Sequence, residues 1–493
     1  VTYDGSSHAE GAKLYIDGER ADVDIVRDVL TKDILYDRKD IHLTIGERWR
    51  DAGFKDGRVD EFQVFDQALS PLEVAHNYDG KSLIRALESA AISDASQQPD
   101  LFEYYLSHHD SEYRQRRDQL QQLRKEQSAL IEPIAELMVM DEMAEPRPTY
   151  RLEQGQYNQQ REQVFPSAPA SILPFDETLP PNRLGLARWF CDPKHPLTAR
   201  VTVNRYWELF FGRGLVDPPN DFGTQGNPPT HPKLLDYLAA RYIESGWNTK
   251  DLIRHIVTSA TYRQSSIADL ATLEKDPNNL LLSRGPRYRL NSEMIRDSAL
   301  HAGGILAETM GGPPVRPYQP PGLWVEKEAR VRYEPSTGED LYRRSLYTIW
   351  KRTSPPPAMV AFDAPTRSVC TANRQRTGTP LQALVLLNDV QFVEAARCFA
   401  ERILREGGET VGEQLDFAFR VATGRCPEKA EAALLRELYQ QQQQFYAGHS
   451  DQAKLLIQIG EKPLDDALHP VDVATLTTIA STLLNHDEFV TKR

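Results

Sequence analysis

The chain has 493 residues, 40% of them hydrophobic and 26% charged, with a formal net charge of -13 at pH 7. That length sets an expectation of two or three domains at roughly 100–200 residues each, and the acidic balance argues against a nucleic-acid surface. No stretch approaches the run of about 18 apolar residues that a membrane-spanning helix needs. The four cysteines, Cys191, Cys370, Cys398 and Cys426, are scattered and form neither C-x-x-C nor C-x-x-C-H. The chain therefore carries no local zinc knuckle and no c-type haem attachment signal. Two disulfides in any of three pairings, or free buried thiols, remain open.

Residues 1–80 are the β-rich part. VTYDG, AKLYIDGER, IHLTIGERW and GRVDEFQVFDQALS alternate apolar and polar residues between glycine turns, the period of half-buried strands. Asp17-Gly18 is a tight hairpin signal. Ser70-Pro71 followed by Glu73 supplies an N-cap, a proline at the first helical position and a capping-box acid for a short closing helix. The opening residues already read as a strand and hairpin in mid-domain and do not begin with methionine. The chain is therefore expected to be a fragment, and the lack of a leader says nothing about its localisation.

These strands, ending in GRVDEFQVFDQALS, resemble the C-terminal half of a concanavalin A-like, laminin-G-type jelly roll. The resemblance implies glycan binding and, in some members, calcium. Asp60 and Glu61 offer carboxylates, but adjacent strand residues point to opposite faces, which favours a structural reading over a ligand pair.

Residues 81–145 are polar and helical. Tyr113, Leu120, Leu123, Leu130, Ile134 and Leu137 fit an a/d heptad flawed by Arg116 and Gln127, so a helical hairpin or short coiled coil is expected. His108, His109 and Asp110 are consecutive and cannot face one ion from a helix. Residues 146–182 are extended and proline-rich, a strap over the domain that follows.

The central stretch spans 184–266. Thr198 is expected to cap a helix with Ala199, Val203, Trp207 and Phe210 on its apolar face, ended by Gly212 and Gly214. The loop LVDPPNDFGTQGNPPTHP follows, stiffened by five prolines. A second helix over 230–245 carries Leu234, Leu235, Leu238 and Tyr242, and Asn248 or Thr249 caps a third. Further on, Asn291 or Ser292 caps a helix broken at Gly303 and Gly304, RRSLYTIWKR alternates as a strand, and PLQALVLLNDVQFVEAARCFAERIL forms one long helix or two meeting near Asn388 and Asp389. The rest is helical.

The run ARWFCDPKHPLTARVTVNRYWELFFGRGLV, with DFGTQGNPPTHPKLLDYLA, GWNTKDLIRHIVTSATYRQSS, FDAPTRSVC, RQRTGTPLQALVLLNDVQFVEAA and LLNHDEFVTKR, is similar to the planctomycete cytochrome-c-associated domain, a family of unknown function. The resemblance covers 183–493 together with its strap. It implies an exported protein, periplasmic or extracellular, found with c-type cytochrome domains. Haem is then held by a partner or a further domain. No catalytic residues come with it.

Three polar constellations stand out. In the first, Asn204, Arg205 and Glu208 share a helix, with the stiff loop's Asp221, Gln225 and His231 nearby in sequence. Glu208, Asp221 and His231 suit acid–base work on a glycan, with Asn204 and Arg205 as ligand-binding residues; a buried network pinning the loop to the helix is the competing and favoured reading. The second is basic: Arg343, Arg344, Lys351, Arg352, Arg367, Arg374 and Arg376, suited to carboxylate or sulfate, or to salt bridges with neighbouring acids. The third is aromatic. Most of its members read as core, with Trp324 the best exposed candidate for sugar stacking.

The expected architecture is multidomain. A partial all-β jelly-roll sandwich (1–80) is followed by a helical hairpin linker (81–145), a proline-rich strap (146–182) and a mostly α-helical domain with few short strands (183–493). The expected function is extracytoplasmic polysaccharide binding or use alongside a c-type cytochrome domain or protein. A polysaccharide hydrolase or lyase at the 204–231 loop and a non-catalytic envelope scaffold are the alternatives. No nucleic acid, no membrane span and no cofactor within the chain are expected, apart from calcium at the β-sandwich.

Overall fold

The computed structural model describes residues 1–28, 57–90, 99–134, 137–143, 145–324 and 333–493. They divide into two compact units, Val1–Pro148 and Thr149–Arg493.

In the first unit, β1 (Thr2–Tyr3) pairs antiparallel with β2 (Ala12–Lys13), and β3 (Tyr15–Ile16) with β4 (Glu19–Arg20). Asp17 and Gly18 form the turn between β3 and β4 at positive φ, 54° and 82°, the geometry for which Asp-Gly is selected in two-residue hairpins. Helix α1 (Pro71–Asp79) opens on the expected capping box, with Ser70 and Glu73 each bonding the other's backbone N–H. Helices α2 (Ser82–Ala90), α3 (Pro99–His108) and α4 (Ser111–Ile131) follow.

Two expectations change here. Residues 57–69 form no strand, and Val59, Phe62, Val64 and Phe65 are exposed. A strand exists only through a ladder with a partner, and none of the described residues pairs with this stretch. The strand expected at 41–49 lies outside the described residues. On α4, the heptad positions Leu120, Leu123 and Leu130 face solvent, while Arg117 and Arg124 are partly covered and bond Gln67 and the Asp4 carbonyl. The helix is held by its arginines, so the flawed apolar seam stays outside. The His-His-Asp run is also accounted for. His108 Nε2 lies 2.6 Å from Glu73 Oε1, and Asp110 caps α4 by accepting the Tyr113 N–H at 2.7 Å.

The second unit begins with the strap, which contains a hairpin of β5 (Thr149–Leu152) and β6 (Gln160–Val164) and is anchored where Trp189 Nε1 donates to the Leu173 carbonyl at 2.9 Å. Helices α5 (Arg183–Phe190), α6 (Thr198–Phe211), α7 (Pro232–Glu244), α8 (Thr249–Val257) and α9 (Leu270–Lys275) follow. Val203, Trp207, Leu235, Leu238, Leu252 and Ile256 make one core among α6, α7 and α8. Asn248 caps α8 as expected. Thr198 does not cap α6; buried His195 does, its Nδ1 accepting the N–H groups of Leu197 and Thr198 at 3.2 and 3.1 Å.

Strand β7 (Tyr288–Arg289) pairs with the C-terminal β8 (Thr491–Lys492). The larger core gathers α10 (Ser292–Ala302), α12 (Pro380–Asn388), α13 (Val390–Glu406), α14 (Val411–Thr423), α15 (Lys429–Gly448), α17 (Pro470–Leu484) and α18 (Asp487–Val490); α11 (Pro357–Ala361) and α16 (Ser450–Ile457) complete the unit. The 380–406 pattern resolves into two helices at Asp389, whose side chain caps α13. RRSLYTIWKR is not a strand. Asp297 takes both the N–H and hydroxyl of buried Ser345, and 345–347 form a 3-10 turn; the flanking Arg343 and Thr348 meet Ala307 and Val315 only through single bridges.

Of the cysteines, Cys398 is buried and the other three are exposed, and none is paired. Burial pushes the Cys398 thiol up to about 12.

Among the described residues the largest fully buried side chain is Arg397 of α13, at 0% exposure. It bonds Glu401 at 2.6 Å and the Lys462 carbonyl at 2.8 Å. Arg397→Ala leaves buried Glu394 without its cation and Glu401 with Arg405 at 3.5 Å alone, and is expected to lower the unfolding free energy by about 3–5 kcal/mol. Urea titration followed by circular dichroism measures it; a loss under about 1 kcal/mol, the scale of a surface ion pair, would contradict a structural role for the network.

Candidate functional site

Helix α6 ends at Gly212, whose φ of 77° and closeness to the Tyr288 ring leave no room for a side chain; a Cβ there would lie 2.6 Å from Tyr288 Cδ1. The Tyr288 hydroxyl donates to the Leu209 carbonyl at 2.5 Å. Arg376 donates to the Gly212 carbonyl at 2.6 Å, with its guanidinium 4.7 Å from the Tyr288 ring centre. The loop then turns back on α6. Buried Asn204 clamps Val216 by two bonds of 2.9 Å, one to each backbone group, and Arg213 pairs with Asp217 at 2.7 Å.

Glu208 sits one turn before this end, half-buried. Among the described residues no hydrogen bond or ion pair engages its carboxyl. Burial raises its pKa, against the pull of Arg376 and with a further push from Asp217, while Arg205 opposes. A carboxyl held this way keeps its proton to higher pH and can give it to a bound group, while the Arg376 guanidinium is placed to steady a negative oxygen. The neighbouring phenols stay protonated. Burial pushes Tyr288 up to about 12 and raises Tyr262, and Lys492, whose Nζ lies 4.8 Å from the Tyr262 ring centre, is lowered by burial.

The residues expected to act together bond to different partners. Asn204 is a clamp and is wholly buried, as the network reading has it, whereas Arg205 is exposed. Asp221 accepts the Gly223 N–H at 2.8 Å, a turn within the loop. His231 precedes α7 and lies 3.1 Å from the Thr230 hydroxyl. The charges acting on Glu208 come from Arg376, Asp217 and Arg205 instead. Tyr288 and Lys492 reach this place through the β7–β8 pairing, which two-residue strands far apart in the chain do not announce.

The basic constellation is dispersed. Arg343 is buried and bonds the carbonyls of Pro313, Thr309 and Gly311, so it pins the glycine–proline loop and has no face for a ligand. Arg344 donates to the Glu308 carbonyl at 3.2 Å. Trp324 is buried at 8% exposure, covered by Tyr333 and Lys351, because its large apolar ring gains more inside than at the surface. Arg374 and Arg367 line a cavity of about 660 Å³ together with α10.

No group of three or more histidine, cysteine or acidic side chains gathers for a metal among the described residues. Asp60 accepts the adjacent Glu61 N–H at 2.9 Å, and this pair does not make the cage of about six to eight oxygens that calcium takes. No described helix is long and apolar enough to cross a membrane.

The raised pKa of Glu208 has a stability consequence. Its folded value lies above the unfolded one, so stability from this group is whole below the unfolded carboxylate range and is lost as pH rises through the folded value. Glu208→Gln is therefore expected to gain on the wild type near pH 7 relative to pH 4, in urea titrations across that range. Parallel pH profiles for the two proteins would mean that the carboxyl is not held against its ionisation.

Residues 1–75 match the Concanavalin A-like lectin/glucanases superfamily. Residues 182–439 match the family described as PSD1, a protein of unknown function (DUF1553). No curated protein and no solved structure matches the chain. The second match covers more than half of the sequence and takes in the last residue of the strap, the Asn204 clamp, Glu208 and the arginine segment: the chain belongs to the PSD1 family of unknown function.

Proposed function

We propose that this protein binds or uses polysaccharide outside the cytoplasm, in the periplasm or extracellular space, alongside a c-type cytochrome domain or protein. The observation that carries the reading is the match of residues 1–75 to a superfamily of lectins and glucanases, in one chain with a helical PSD1 domain. The cytochrome partner rests on the resemblance of 183–493 to cytochrome-c-associated domains, and its haem belongs to that partner or to a further domain. The test is thermal unfolding of the chain against neutral and anionic polysaccharide fragments, with and without calcium. A bound fragment at about 100 times its dissociation constant adds roughly 2.7 kcal/mol. Unchanged melting across the panel moves the weight to a non-catalytic envelope scaffold.

A second reading, a polysaccharide hydrolase or lyase at the 204–231 loop, is favoured by one observation: the half-buried Glu208 carboxyl, without a hydrogen-bond or ion-pair partner among the described residues and under the charges of Arg376 and Asp217. Glu208 is the proton donor in this reading, and Asp221 and His231 shape the loop. Glu208→Gln is expected to abolish turnover of any fragment that the wild type cleaves while the fold is kept or strengthened. Undiminished turnover would rule this site out.

A further inference from the structure

The cavity beside α10 has a composition that narrows its ligand. Glu293, Asp297 and His301 repeat at every fourth position along the helix, so they share one face, and all three line the space. Arg367 and Arg374 enter it from the 363–379 segment, and Val421, Ala422 and Phe489 supply apolar surface. At about 660 Å³ the space is that of a small-molecule site.

The charges in it nearly cancel. Arg374 donates to Glu293 at 2.8 Å, so this pair is satisfied within the protein. Asp297 is held by Ser345 at 2.8 and 2.7 Å and faces Arg296 at 3.5 Å, all through Oδ1, which leaves Oδ2 as the acceptor for a ligand. Arg367 stacks on Trp350 at 4.5 Å, and no ion pair among the described residues uses it, so its N–H groups are donors for a ligand. His301 is exposed, and its ring can both donate and accept. A sulfate or carboxylate here meets Glu293 and Asp297; an ammonium meets Arg367 and Arg374. A ligand that presents hydroxyls to donors and acceptors alike, and a C–H face to Val421 and Phe489, meets no such conflict.

We propose that the α10 cavity is a binding site for a short neutral saccharide, with Asp297 and Arg367 gripping its hydroxyls over the Val421–Phe489 floor. The assignment rests on the polysaccharide reading and gives it a ligand class and a place in the PSD1 domain.

The experiment is calorimetric titration of the full chain with neutral glucose, xylose and mannose oligosaccharides, and in parallel with oligouronates and sulfated oligosaccharides. The variants are Arg367→Ala, at an exposed position, and Ser298→Trp, which fills the cavity from α10; melting curves check that each is folded. Arg367→Ala alone decides the matter if the bulky variant does not fold. The expected result is binding of a neutral saccharide that weakens by about tenfold or more in the variants, the loss of a hydrogen bond from a charged group. Where calorimetry finds two sites, only one should be lost. Neutral saccharide binding that is unchanged in the variants overturns the cavity assignment and leaves the polysaccharide reading standing. Binding of charged saccharides alone, lost in Arg367→Ala, overturns the neutral class. Binding of neither kind removes both the assignment and the reading beneath it.

Discussion

A guanidinium with no exposed surface has to be paired inside the protein, and Arg397 sets that demand at the centre of α13. Its position is dictated by the helix, whose residues from Gln391 to Glu401 are all buried. Glu401 one turn on pairs with it at 2.6 Å, and Glu394 one turn back lies 3.8 Å away. Glu394 in turn accepts the Tyr342 hydroxyl at 2.9 Å and the Lys462 N–H at 2.7 Å. Burial and the Glu394 bond drive the Tyr342 phenol far above its ordinary pKa, so it remains a donor. Gly460 is the counterpart of this arrangement, since a Cβ there would fall 2.2 Å from the Glu394 carboxyl carbon. Isolated buried charges cost several kcal/mol each, and the network offsets that by tying α13 to the 460–465 segment and to Tyr342.

Arg296 applies the same logic one layer out. It is 5% exposed and donates to the carbonyls of Leu341 and Arg343 and to the side chains of Gln391 and Ser345. Burial lowers its pKa to about 10, which keeps it charged at neutral pH. These bonds fix the 341–345 segment against α10, bring Ser345 to Asp297 and thereby set one wall of the α10 cavity. The interior charges and the cavity are parts of one construction.

What could be read from the sequence was local. The Asp17-Gly18 turn, the Ser70–Glu73 capping box, the Asn248 cap and the helix junction at Asp389 each depend on residues within about four positions of one another, the reach of turn and cap chemistry. What could not be read depends on distant chain. The strand period of RRSLYTIWKR is outweighed by the bonds of Asp297 to Ser345. Arg343 reads as a free cation until the carbonyls of 309–313 fold over it, and Trp324 reads as exposed until Tyr333 and Lys351 close on it. Glu208 was legible because it shares an α6 face with Asn204. Its leading charged neighbour was not, because Arg376 arrives from another part of the fold, and the nearby Asp221 and His231 turn to bonds within their own loop.

The polar groups of the PSD1 domain then differ in how completely they are bonded. Arg397, Arg296, Arg343 and Asn204 are buried and bonded, and each holds one segment of chain to another. Glu208 and Arg367 are placed with equal definition, one at the end of α6 and the other stacked on Trp350, yet neither has an ionic partner among the described residues. A half-buried carboxyl kept from ionising costs stability, and a guanidinium held on an aromatic ring beside a cavity gives up conformational freedom. The ring contact offsets about 0.5–1 kcal/mol of the second cost at an exposed site, and the remaining costs bring the fold nothing by themselves. They become intelligible when a bound molecule completes the bonds, and this directs attention to the end of α6 and the α10 cavity over the better-satisfied charges of the core.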